Sequence, residues 1–440
     1  METQKLAESL AAAATILTGD ASAHGPSLDL LAELQYLDGA HDAAPHRSAL
    51  LRAASKFQRI FSIPAEDAPG LVVLGAELDA GCIGLRDTPT GGVSGTGLNF
   101  RQAFESCVGE GVEYLSQFAA PDDQFVSLTD NEALRDATPA LQALWDRLLP
   151  YRRNPDAERP NAERADWTLA ANLADGTAVH LPADLCFRRP ADVRNLDPPW
   201  PLSTGCGAAA DALDATLHGL LELIERDAVA LWLRGGVRPR VIPPAPGAGL
   251  LGQLRGAAPK RRTWLLDITS DIGVPVVAAV ACDDTGFGLC RGSACRPTLA
   301  AAADAALMEL AQMEVAYRIS ATKQAMRGAE ALNNTDREHI LRYTAIDVGT
   351  TAALHPLAPP APSCDLLAHD KIAILAGVRK RLEAVGVEVY ALNLTRPKLG
   401  IAVVRTIAPG LEVGLTSPPG PRLRSAAEEA GIDLTRPILL

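Results

Sequence analysis

The feature that most constrains this chain is that it repeats itself. LLDITSDIGVPVVAAV (Leu265–Val280) and ALNLTRPKLGIAVVRTI (Ala391–Ile407) share an apolar run, a D/N-x-T triplet, a short turn ending in Gly and a β-branched strand. Each copy reads as a β-hairpin. Three helical stretches rhyme as well. ESCVGEGVEYL (Glu105–Leu115) and HGLLELIERDA (His218–Ala228) carry E-x-x-E in an apolar frame, and ALMELAQME (Ala306–Glu314) carries E-x-x-Q. Repeated hairpins with helices between them predict a mixed α/β (α+β) architecture with internal pseudo-duplication, in preference to two unrelated domains.

Composition sets the remaining bounds. With 440 residues, 48% of them hydrophobic, core material is ample for one large domain or two moderate ones. A net charge of −12 argues against a general nucleic-acid or anionic-membrane binder, because those need a basic surface. The eight cysteines are scattered and include no C-x-x-C pair, which excludes a zinc ribbon and fits a reducing compartment. No run approaches the ~18 apolar residues of a membrane span, so a soluble cytoplasmic protein is expected. The opening KLAESLAAAATILTGDASA imitates a secretory signal, but Glu8 beside its apolar region favours an amphipathic helix.

Residues 1–63 read as helical, ending in ALLRAASKFQRIF from Ala49, and Pro64 and Pro69 close the segment. From Gly70 the pattern changes to a strand, LVVLGAEL, then a Gly-rich turn and a strong helix over Phe100–Phe118. A helical N-terminal segment (1–70) and a second domain (71–440) follow. Tyr151–Asp166, Val241–Gly249 and His355–Ser363 read as loops.

The helices carry the candidate chemistry. Ser106, Glu110 and Glu113 are spaced i, i+4, i+7 and share one helical face. Glu222 and Glu225 are spaced i, i+3 among Leu220, Leu221, Leu223 and Ile224, with Arg226 four residues beyond Glu222. Taken singly, each glutamate is accounted for by water or an arginine partner. Taken together in apolar frames, the carboxylates would repel unless a cation neutralised them, and hard oxygen ligands suit Mg²⁺ shared with phosphates. No G-x-x-x-x-G-K-[ST] loop is present. His218, Cys107, Cys206, Trp232, Asp267 and Thr269 are expected to be structural.

At these residues the sequence resembles the YcaO family. GVSGTGLNFRQAFESCVGEGVEYL (Gly92–Leu115), STGCGAAADALDATLHGLLELIERDAVALWL (Ser203–Leu233), RGSACRPTLAAAADAALMELAQ (Arg291–Gln312) and LTRPKLGIAVVRTIAPGLE (Leu394–Glu412) are similar to its signatures in the expected order. LLELIERDAVALW is similar to the version found in azoline-forming members. The resemblance implies a YcaO-type fold with mixed sheets and flanking helices over residues 71–440.

It also implies an ATP- and Mg²⁺-dependent enzyme that activates backbone amides of a ribosomally made precursor peptide, leader plus core. A Cys, Ser or Thr side chain attacks the preceding carbonyl, ATP phosphorylates the oxyanion, and phosphate leaves as thiazoline or oxazoline forms, as in thiazole/oxazole-modified microcin and other bacteriocin pathways. Carried over by resemblance, Glu110, Glu113, Glu222, Glu225 and Glu309 hold Mg²⁺, while Ser106, Arg226 and Gln312 contact the nucleotide. Gly95 and Gly97 let a backbone turn approach the ligand. Glu110, Glu222, Glu225 and Arg226 are the residues expected to carry catalysis.

Three positions depart from the family pattern: Tyr114 and Ala305 stand where arginines are common, and Thr204 where Asn is common. Arg101, Arg291 and Arg296 are candidates to substitute spatially. The chain ends TRPILL, with Pro437 its one proline, where azoline-forming members carry a Pro-rich tail. Peptide thioamidation or amidine formation is therefore an alternative, and a degenerate scaffold of a biosynthetic complex is a second one. The N-terminal 70 residues lack the alternating strands of a winged-helix leader-binding module. A ubiquitin-activating-enzyme-like partner is therefore expected to bind the leader. The N-terminal segment is left to dock that partner or support a homodimer within the larger complex. A flavin (FMN) dehydrogenase is a further partner by analogy.

Overall fold

In a computed structural model, which describes residues 3–19, 25–37, 43–85, 90–153, 164–243, 246–257, 259–368 and 370–435, both copies of the D/N-x-T motif fold into the same hairpin. Asp267 Oδ1 accepts from Thr269 N–H (2.9 Å), and Thr269 Oγ1 accepts from Val276 N–H (3.0 Å). Asn393 and Thr395 repeat this, with Asn393 Oδ1 accepting from Thr395 N–H (2.9 Å) and Thr395 Oγ1 from Val403 N–H (3.0 Å). The short polar side chains close an Asx turn and then tie it to the returning strand. Each turn ends in a glycine at positive φ, Gly273 (+76°) and Gly400 (+70°), where a Cβ would be strained.

The strands are β1 (Arg59–Ile63), β2 (Val72–Leu78), β3 (Gly91–Gly97), β4 (Val126–Thr129), β5 (Arg164–Asn172), β6 (Ala178–Pro182), β7 (Cys206–Ala209), β8 (Arg240–Val241), β9 (Arg262–Asp267), β10 (Val276–Cys282), β11 (Cys290–Cys295), β12 (Tyr390–Asn393) and β13 (Ala402–Ile407). They form three sheets, ordered β1-β2-β3, β11-β10-β9-β8 and β4-β5-β12-β13-β7, with β6 on β5. In each larger sheet a motif hairpin pairs antiparallel with a third strand: β10 with β11, and β13 with β7. A helix follows that third strand in sequence: α5 (Ala212–Leu233) after β7, and α6 (Leu299–Arg327) after β11. β3 likewise leads into α4 (Phe100–Ser116).

The chain divides into two compact units. The first comprises Met1–Ser62, Leu74–Leu220 and Glu388–Pro409, and the second Ile63–Val73, Leu221–Val387 and Gly410–Leu440. In the first, α1 (Thr3–Leu17), α2 (Gly25–Glu33) and α3 (Ala44–Ala54) pack together, and α3 packs against α4. Ser48 Oγ donates to Ala14 O (2.9 Å) and ties α3 to α1. In the second, α6 lies on β10 and β11, burying Ala302, Ala303, Ala306, Leu307 and Leu310 against Val277, Ala279 and Ala281. Small residues on both surfaces let the helix sit close, which explains an aromatic-poor core.

Two sequence expectations are corrected. The third N-terminal helix stops at Ala54, and Arg59–Ile63 is a strand, because Arg59 pairs across to Glu77 on β2 (2.6 Å) and Gln58 N–H bonds Glu77 O (2.9 Å). The Gly-rich turn before α4 is strand β3. Residues 154–163, most of the polar stretch from Tyr151 to Asp166, and residues 244–245 of the Val241–Gly249 loop lie outside the described residues, as does Pro437. Among the described residues no helix is long and apolar enough to cross a membrane.

Candidate active site

Each glutamate-bearing helix is held to its preceding strand by a glycine. A Cβ on Gly95 would lie 2.0 Å from Cys107 N, one on Gly207 would lie 2.4 Å from Ala215 O, and one on Gly292 would lie 2.2 Å from Leu310 N. Backbone therefore meets backbone at all three places. Gly97 does the same against Ala103 N (2.5 Å). The space beside the Cα atoms of Gly95 and Gly97 is thus filled by α4.

On α4, Cys107, Val108, Gly111 and Val112 are buried, while Ser106 and Glu110 are exposed and Glu113 is half-buried. The face predicted from i, i+4, i+7 spacing is the open one. Ser106 Oγ accepts from Thr96 N–H on β3 (3.4 Å), so the strand sets its position. Burial, with Glu110 nearby, pushes the Cys107 thiol up to about 12, leaving it a small core side chain. Trp232 is core too, donating from Nε1 to Ala353 O (2.8 Å).

The second unit draws the other predicted residues together. α5 presents Glu222, Glu225 and Arg226, and α6 presents Glu309 with Gln312 one turn on. Arg226 approaches Glu222 at 3.3 Å and Glu225 at 3.4 Å. Ser293 on β11 joins the helices: its Oγ donates to Glu225 Oε1 (2.8 Å), and its N–H donates to Glu309 Oε2 (3.2 Å). Arg291, two residues earlier on the strand, lies in the same charged neighbourhood as Glu309, Arg226 and Glu225.

The electrostatics follow from burial. Glu225 is 6% exposed, and desolvation raises its pKa well above 4.5; Arg226 pulls it down, but Glu309 and Glu222 push it up. Burial raises Glu309 as well, against the pull of Arg226, Ser293 N–H and Arg291. Burial disfavours the Arg226 charge, yet the carboxylates of Glu225, Glu222 and Glu309 outweigh it and raise its pKa. Arg226 nonetheless keeps 37% of its side chain exposed, so its guanidinium reaches solvent instead of packing in the core. Buried carboxylates held above their ordinary pKa are short of positive charge, which is the condition a divalent cation relieves. Among the described residues no three His, Cys, Asp or Glu side chains form a ready metal cage. Mg²⁺ takes one or two carboxylates and completes its shell with water and phosphate.

Behind Arg226, the next residue of α5 anchors the C-terminal region. Asp227 is fully buried, accepts from Arg422 Nη2 (2.9 Å) on α8 (Pro421–Ala430), and accepts from Glu412 N–H (3.1 Å). Glu412, the last residue of the Pro-Gly-Leu-Glu signature, is itself buried and accepts from Gly420 N–H (3.1 Å). That signature thus braces the helix carrying Glu225 and Arg226.

Sequence reasoning missed Ser293 and named Arg291 only as one of three arginines that could substitute spatially. A signal was present, since Arg291 and Ser293 flank Gly292 and strand alternation puts both on one side.

Comparison with known proteins decides what this arrangement belongs to. The profile of the YcaO family, described as a YcaO cyclodehydratase, ATP- and Mg²⁺-binding, matches residues 94–412. This chain belongs to the YcaO family. ATP and Mg²⁺ are accordingly its cofactors, and it is an enzyme of the YcaO cyclodehydratase kind. It is 27% identical over 342 residues to an uncharacterized protein in the tfuA 3′ region of Rhizobium leguminosarum bv. trifolii, covering 73% of this chain and 77% of the relative. Its fold is similar to a heterocyclase solved in complex with substrate and cofactor (TM-score 0.63, 22% identity, 81% of this chain). The chain spans only 50% of that heterocyclase's length. It is also similar to the YcaO from Methanopyrus kandleri bound with AMPPCP and Mg²⁺ (TM-score 0.57, 17% identity), covering 91% of this chain and 92% of that one.

Proposed function

We propose that this YcaO protein activates backbone amides of a ribosomally made precursor peptide and closes Cys, Ser or Thr side chains onto the preceding carbonyl as thiazoline or oxazoline. The observation that carries the reading is the Glu222–Glu225–Arg226–Glu309 cluster, short of positive charge and fixed by Ser293. Glu222, Glu225 and Glu309, with Glu110 and Glu113, are the proposed Mg²⁺ ligands. Ser106, Arg226 and Gln312 are the proposed nucleotide contacts. Gly95 and Gly97 serve the site by seating α4, and hence Ser106, on β3.

ATP supplies a phosphoryl group that turns the amide oxygen into a leaving group, and Mg²⁺ neutralises charge on the phosphates. The balance is amide plus side-chain thiol or hydroxyl plus ATP giving azoline, ADP and phosphate. The chain's own task is placement and charge. Arg226 presents a guanidinium fork held by Glu222 and Glu225, and Asp227 with Arg422 keeps that turn of α5 from moving.

A second reading is thioamide or amidine formation, in which an external nucleophile replaces the peptide side chain. In either case a separate leader-binding protein resembling ubiquitin-activating enzymes is the proposed partner, with an FMN dehydrogenase downstream of azolines.

Mass spectrometry of a Cys/Ser/Thr-containing precursor peptide incubated with the protein, its partner, ATP and Mg²⁺ tests the reading. A loss of about 18 Da per site, absent with Glu222→Gln, is expected from phosphate-leaving cyclisation. A gain of about 16 Da with a sulfide source would select thioamidation by the same activation.

A further inference from the structure

The cluster contains a cation that its neighbours leave under-used. Arg291 lies on β11, whose next residue, Gly292, packs against α6 while Ser293 on Arg291's own side reaches Glu225 and Glu309. Its Nε is buried with no hydrogen-bond partner among the described residues. A guanidinium has five N–H donors and no acceptor, so burying one with an orphaned donor is costly unless something else supplies oxygens. Arg226, by comparison, has Glu222 and Glu225 within 3.4 Å. Arg342 on α7 (Asn334–Ala345) adds a second positive charge beside Arg291.

Mg²⁺ on the carboxylates would withdraw the negative charge that Arg291 now faces, leaving an anion as its complement. We infer that Arg291 holds a phosphate group of the bound nucleotide from the strand side of the site. A planar fork suits phosphate oxygens, and β11 fixes its origin between two neighbours of known placement. Burial and Arg342 lower the Arg291 pKa to about 10, which still leaves it charged at neutral pH. The inference rests on placing the nucleotide at the Glu222–Glu225–Glu309 cluster.

Calorimetric titration of the full chain with Mg²⁺·ATP, Mg²⁺·ADP and adenosine tests it, using Arg291→Gln with Glu225→Gln as reference. Losing one charge-assisted contact should weaken Mg²⁺·ATP about 10–100-fold and leave adenosine unchanged. A melting temperature within a few degrees of wild type would separate this from misfolding. Arg291→Gln with wild-type ATP affinity, or with ATP and adenosine weakened equally, would overturn the assignment. If Glu225→Gln also leaves Mg²⁺·ATP binding intact, the nucleotide lies elsewhere and the inference falls with the site. Loss in Glu225→Gln alone refutes Arg291 and spares the site.

Discussion

Gly292→Ala tests the idea that glycine contacts set the position of the glutamate helices. The added methyl would sit 2.2 Å from Leu310 N, 2.6 Å from Ala306 O and 2.8 Å from Glu309 C. All three are backbone atoms of α6, so no rotamer change relieves them. Restoring ordinary contact means moving α6 back by about 1 Å or more against a tightly packed core. Overpacking of this kind costs about 1–3 kcal/mol, and the upper end applies where both surfaces are main chain. The same shift lengthens the 3.2 Å bond from Ser293 N–H to Glu309, so Mg²⁺·ATP affinity should fall with stability. Urea unfolding measures the first effect and calorimetry the second. Gly252→Ala is the control in the same unit: it is exposed in helix Ala248–Arg255 with nothing within 4 Å of its new methyl. It should stabilise by about 0.5–1 kcal/mol through helix propensity alone. A Gly292→Ala protein as stable as wild type would refute the reasoning.

Other outcomes follow from the buried charges. Glu225 has a folded pKa raised above its ordinary 4.5, so its contribution to stability is greatest below that value and is lost as pH rises through the folded pKa. Thermal melts in EDTA should therefore show Glu225→Gln matching wild type near pH 4–5 and exceeding it at pH 8–9 by about 1–3 kcal/mol, with saturating Mg²⁺·ATP reversing the order. Glu314, 2% exposed, accepts from Arg255 at 2.7 and 2.8 Å and meets Arg261 at 2.8 Å. Glu314→Gln leaves buried arginines unbalanced and should cost about 3–5 kcal/mol in chemical denaturation, without any predicted change in nucleotide specificity. Arg422→Met removes the partner of fully buried Asp227 and should destabilise by about 3–5 kcal/mol. It should also lower kcat through the Arg226 turn of α5, read in ATP-turnover assays.

The repeated hairpins were legible because Asp267/Thr269 and Asn393/Thr395 write their turn in side chains that bond locally. The glutamate faces were legible because helical spacing is local too. Contacts made far along the chain were not. β7 finds its sheet neighbour in β13, so the first unit closes only when the Glu388–Pro409 segment returns. Gly95 announces that no Cβ is tolerated, yet its sequence cannot say whether a ligand or a helix takes the space. Strand alternation puts Ser293 on the Arg291 side of β11, but its meeting with Glu225 on another helix is not written in the local sequence.

The central claim is that ATP activates a peptide amide oxygen. Its most direct measurement follows ¹⁸O placed in the carbonyl of the residue before the cyclised Cys, Ser or Thr, with the protein, partner, Mg²⁺ and ATP present. Phosphorylation of that oxygen predicts that the label emerges in inorganic phosphate, one label per peptide modified, and that Glu225→Gln abolishes the transfer. Modified peptide accompanied by unlabelled phosphate would contradict the account.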